Sequence, residues 1–160
     1  MKRAGFLAIA LVATVLAAAA AASASPAVPI TLTESIDFVR PPGEPPAGTF
    51  TLSGLGPGVC PTGISVDSLV SFNRDFTRIV IERRYICGDG AGGFSALQAL
   101  SLDGDPATQT ESVSGTWVIR DGYGALAQLH GAGQIQGVNV GCNPRCTSGT
   151  STVEAIAHLN

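Results

Sequence analysis

Basic side chains are few in this 160-residue chain, and two of the nine, Lys2 and Arg3, sit at its N-terminus. The remainder carries seven basic against twelve acidic residues, a net charge of −5. A chain with that balance lacks the electrostatic footprint of a nucleic-acid binder, so no nucleic-acid partner is expected. Charged residues of either sign are only 13% of the sequence. Gly, Ser and Thr are abundant instead, which fits a packed, low-charge β protein and not a disordered one. Amphipathic helical periodicity is scarce. Histidine is limited to His130 and His158. Neither has acid and serine partners at a spacing that points to a hydrolytic triad, and each reads as a surface residue. Asp103 and Asp105 are the nearest approach to paired carboxylates, but "DGDP" is first a turn sequence. Cys-x-x-x-Cys at 142–146 stands without a second pair at zinc spacing. No catalytic residue, metal site or cofactor is assigned on these grounds.

Two features of the chain indicate its compartment. After Lys2 and Arg3 an apolar run extends from Ala4 to Ala22, and Ala22-Ser23-Ala24 fits a small-x-small cleavage pattern. Residues 1–24 are therefore read as a secretory signal peptide. Residues 25–47 are read as an N-terminal strand and a Pro-rich linker, and 48–160 as the rest of a single domain. The protein is expected to be secreted and extracellular, with no membrane association after cleavage. All four cysteines lie in the exported part, and an even count in an oxidising compartment reads as two disulfides. Of three connectivities, Cys60–Cys87 with Cys142–Cys146 is preferred, Pro144 bending the chain between the second pair.

Alternation of apolar and polar residues recurs along the exported chain. Ile30, Leu32, Ile36 and Phe38 alternate in "ITLTESIDFV", and Phe50 and Leu52 in "GTFTLSG". In "ISVDSLVSF" the residues Ile64, Val66, Val70 and Phe72 share a parity and are read as the buried side. "TRIVIERRYIC" is β-branched and aromatic, a strong strand signal. Phe94, Ala96, Leu100 and Leu102 share one side of "FSALQALSL"; Val113, Trp117 and Ile119 share one side of "TQTESVSGTWVIR". "GAGQIQGVNV" and "TSTVEAIAHL" complete eight short strands. Asp-Gly turns separate several of them, as tight hairpins require. An all-β, mainly antiparallel barrel follows, with a β-sandwich as the alternative. "YGALAQLHG" also reads as one helical turn. The glycine loop in "YICGDGAGGF", residues 85–94, has neither the lysine and helix of a phosphate loop nor the spaced acids of a calcium loop, and reads as a hairpin bend.

"CPTG" at 60–63, "YICGDGAGGF" at 85–94 and "GTWVIRDGYGALAQLHGAG" at 115–133 resemble motifs of a group of secreted bacterial β-barrel proteins. The last segment is also similar to the corresponding part of allene oxide cyclase-like and dirigent-like barrels. The resemblance implies an eight-stranded, antiparallel, calycin-like barrel over about residues 48–155. Ala91 replaces a usual serine, and Leu126 takes a usual aromatic place. No catalytic residue of those families maps onto this chain.

The remaining cluster of interest is "ERRY" at 82–85. Arg83 and Tyr85 share parity with Ile79, Ile81 and Cys87. Charges are rarely buried, so the favoured expectation turns Arg83 outward, with Val80 and Ile86 marking the inner side. The opposite parity makes Arg83, Tyr85 and Trp117 ligand-binding candidates, polar anchors in an apolar pocket for an anionic or hydroxylated molecule. Trp117 otherwise reads as a core filler. The functional expectation is a non-enzymatic barrel that binds a small apolar or amphipathic ligand or serves as an interaction module. The alternative is a cyclase-, isomerase- or dirigent-like barrel that confines a small apolar substrate. A third is a purely structural exoprotein with a filled lumen. An eight-stranded barrel has an interior that side chains nearly fill or that holds one small ligand.

Overall fold

The computed structural model describes residues 26–159; the signal-peptide reading falls outside them. Eight strands follow one another: β1 (Val28–Asp37), β2 (Ala47–Ser53), β3 (Thr62–Phe72), β4 (Arg78–Cys87), β5 (Gly92–Asp105), β6 (Thr110–Gly124), β7 (Leu129–Val140) and β8 (Ser148–Leu159). Each pairs antiparallel with its neighbours in the chain, and β1 pairs with β8 to close an up-and-down barrel. All eight expected strands are present, and closure decides for the barrel over the sandwich. Among the described residues no strand edge is left to template aggregation. The 25–47 segment contributes β1, an integral stave between β2 and β8. No helix among the described residues is long and apolar enough to cross a membrane.

Alternation works as expected in most strands, with Ile30, Leu32, Phe50, Leu52, Phe94, Trp117 and Ile119 buried. In β3 the sidedness is the reverse of the expectation. Ile64 is 51% exposed, whereas Ser65 and Asp67 are buried. The reason lies across the ladder: Ser65 pairs with Tyr85 and Asp67 with Arg83, so both polar residues face the lumen. A bulge between Leu69 and Ser71 then shifts the register and sets Phe72 opposite Ile79, where it stays exposed and stacks on Phe76. The "YGALAQLHG" segment is a turn and not a helix. Leu126 and Ala127 donate three residues back, to Tyr123 and Gly124, before β7 begins.

The lumen divides into two halves. At the end where β4 finishes and β5 begins, aromatic rings fill it. Tyr85 stacks on Phe94 with centroids 4.6 Å apart, and Phe50 meets Tyr85 edge-on at 5.2 Å. Gly63 makes this possible, because a Cβ there would lie 2.6 Å from the Phe50 ring. Leu126 and the buried Cys60–Cys87 disulfide belong to the same core. The glycine loop is the expected hairpin bend: Ala91 N–H donates to Asp89 Oδ1 at 2.9 Å, and Gly90 takes φ +74°. At the other end Cys142–Cys146 clips the β7–β8 turn. Both disulfides are the expected ones.

The two bridges differ in the chain they close. Replacing Cys60 and Cys87 with alanine is expected to lower the unfolding free energy by roughly 3–4 kcal/mol, and replacing Cys142 and Cys146 by about 2 kcal/mol at most. Urea titration of both double variants checks this; a larger loss from the short pair contradicts it.

Candidate functional site

Three side chains of opposite charge meet between the two halves of the lumen. Arg83 on β4 is only 5% exposed, Glu34 on β1 2% and Asp67 on β3 7%. The favoured outward placement of Arg83 is thus overturned, and its inward parity with Ile81, Tyr85 and Cys87 prevails. Burial is tolerable because two carboxylates supply the counter-charge that the sequence reading did not assign. Arg83 Nη2 donates to Asp67 Oδ2 at 2.7 Å, Nε donates to Asp67 Oδ1, and Nη1 donates to Glu34 Oε2. The fork on Asp67 follows from register, since the two residues are direct cross-strand partners.

A neutral hydrogen-bond network leans on this ion cluster. The Tyr85 hydroxyl donates to Glu34 Oε1 at 2.6 Å. It accepts from Gln98 Nε2 at 3.0 Å and from the Trp117 indole N–H at 3.2 Å. The indole only donates, and the hydroxyl already accepts twice, so its one proton goes to Glu34 Oε1, which accepts it. The residue opposite Trp117 on β7 is Gly133, which packs closely against β8. A Cβ at Gly133 would lie 2.1 Å from the Glu154 carbonyl oxygen.

The charges respond to this enclosure. Burial pushes the Glu34 carboxyl above its ordinary value of 4.5, against the opposing pull of Arg83 and the Tyr85 hydrogen bond. Burial also works against the Arg83 cation, but Glu34 and Asp67 more than offset it and hold its pKa above the usual arginine value. Tyr85 is driven well up, by burial and then by the negative charge of Glu34, and stays a phenol.

Above the cluster the lumen is open. A cavity of about 350 Å³ occupies this half, at the small end of the range for small-molecule pockets. Arg83, Asp67 and Gln98 line it, with walls from residues such as Ile79, Ile81, Leu100, Val113 and Ile135. Of the three sequence-named candidates, only Arg83 reaches the cavity. Tyr85 and Trp117 are fully buried beneath it; the Tyr85 hydroxyl bonds Glu34 and Gln98, and Trp117 donates to that hydroxyl. Glu34, Asp67 and Gln98 were not singled out from sequence. Glu34 and Gln98 sit at the inward parity between Leu32 and Ile36, and between Ala96 and Leu100, which is the signal that would have found them.

The other sequence candidates lie elsewhere. His130 and His158 are cross-strand partners at the filled end with ring centroids 5.4 Å apart, His130 exposed and His158 half-buried. Asp103 and Asp105 are exposed on the β5–β6 hairpin, where the Ala107 N–H holds the Asp105 carboxyl below its usual range. No family model, curated protein or solved structure matches the chain.

Two measurements follow from the cluster. Arg83→Met leaves two buried carboxylates unpaired and is expected to cost about 3–5 kcal/mol at neutral pH; urea titration reads this, and a neutral effect contradicts the pairing. Because the folded-state pKa of Glu34 is raised, its contribution to stability is present below pH 4.5 and is lost as pH rises through the folded value. The wild type should therefore lose stability relative to Glu34→Gln across that window, as read by unfolding at a series of pH values. A constant difference contradicts the assignment.

Proposed function

We propose that this protein is a secreted, non-enzymatic binding barrel of calycin-like type that holds one small, largely apolar molecule in the open half of its lumen. The observation that carries the reading is the cavity: about 350 Å³, apolar-walled, with buried polar side chains confined to its floor. That composition is the usual one for a small-molecule site, where burial supplies affinity and a few polar groups fix orientation. Two disulfides suit an oxidising, extracellular setting.

Confinement of a substrate for cyclisation or isomerisation, or dirigent-like guidance, would use the same cavity. Among the titratable groups on the lining, Asp67 is already engaged twice by Arg83. Glu34 and Tyr85 are not on the lining. Binding without chemistry therefore accounts for the geometry with fewer demands.

Native mass spectrometry of protein purified from its expressing cells, together with a thermal-shift screen of small apolar compounds, tests the reading. The expected result is a co-purified or added compound held one to one. Saturation at about a hundred times Kd adds about 2.7 kcal/mol of stability. Val113→Phe, which fills the cavity from one wall, should abolish that shift while the fold persists. A wild type that holds none of the screened compounds contradicts the proposal.

A further inference from the structure

The floor of the cavity has a definite hydrogen-bond polarity. Three buried side-chain atoms among the described residues lack a partner: Gln98 Oε1, Ser151 Oγ and Ser65 Oγ. The first two belong to residues lining the same cavity. Gln98 is fully buried, and a buried amide oxygen without a donor is costly.

The orientation of that amide follows from its neighbours. The Tyr85 proton is given to Glu34, and the Trp117 indole can only donate. The amide atom facing the Tyr85 oxygen must therefore be a donor, the Gln98 nitrogen. With the nitrogen committed, the oxygen is the amide atom left without a partner, on a residue that lines the cavity. The adjacent ionic cluster counts two acidic side chains against one basic. Arg83 spends three of its N–H bonds on those two partners. This floor offers an acceptor in a field that does not favour an anion.

We infer that the ligand enters with an apolar body and a neutral hydrogen-bond donor at its head, an alcohol or a phenol, whose O–H is accepted by Gln98 Oε1, and that carboxylates are selected against. Gln98 is thus the specificity-determining residue, and the anionic alternative raised by Arg83 alone is set aside. The inference rests on the proposed binding function.

Isothermal calorimetry of the wild-type protein with n-octanol, octanoate at neutral pH and n-octane separates the two levels. The expected order is octanol tightest, with a margin of roughly tenfold or more over octane, the scale of one buried acceptor satisfied. Octanoate should bind more weakly than octanol. Gln98→Leu should erase the octanol margin while octane binding persists. If octanol and octane bind equally, or octanoate binds tightest, the inference is overturned and the binding function stands. If none of the three binds, the binding function itself is contradicted.

Discussion

One guanidinium held between two carboxylates inside a β-barrel constrains much of the remaining interior. Arg83 reaches Asp67 directly across the β3–β4 ladder and Glu34 from β1 across the lumen. Both carboxylates must be enclosed along with it, which forces β3 to turn its polar side inward and leave Ile64 to solvent. The isolated cost of burying any one of these ions is several kcal/mol, so the three are retained or lost together.

Below the cluster, the consequences are structural. Tyr85 bridges charge to core, donating to Glu34 while its ring stacks on Phe94. Trp117 and Gln98 converge on the same hydroxyl, so the aromatic end is oriented by polar bonds as well as by shape. Gly63 makes the space beside Phe50, where a Cβ would run into the ring. Above the cluster the walls remain apolar, and the same polar belt that closes one half becomes the floor of the other. A buried ion cluster of this kind is weak grounds for stability, since well-packed apolar residues often serve as well. It lies between a filled core and an open cavity.

The strands and their closure were legible because a barrel stave buries every second residue, and runs such as Ile30-x-Leu32 and Val113 to Ile119 show that period plainly. The disulfides were legible from count and spacing. The site was legible only in part. Arg83, Tyr85 and Trp117 stand out by type, but parity in "IVIERRYIC" is nearly balanced, and the rule that charges stay outside favoured the wrong side for Arg83. The rule fails where counter-charges come from residues separated along the chain, 49 positions away for Glu34 and 16 for Asp67. Reading alternation through its apolar members also passes over polar residues at inward positions, which is how Glu34 and Gln98 escaped. In β3 the apolar residues mark the outer face, and only the pairing of Asp67 with Arg83 reveals it.

The central claim is that Arg83 is sequestered as a cation between Glu34 and Asp67. Proton-exchange NMR of the arginine side chains tests it most directly. The account predicts the Arg83 Nε–H, held by Asp67 on β3, to be strongly protected from solvent exchange at neutral pH. An Arg83 Nε–H exchanging as fast as that of Arg120 on the outer face would contradict it.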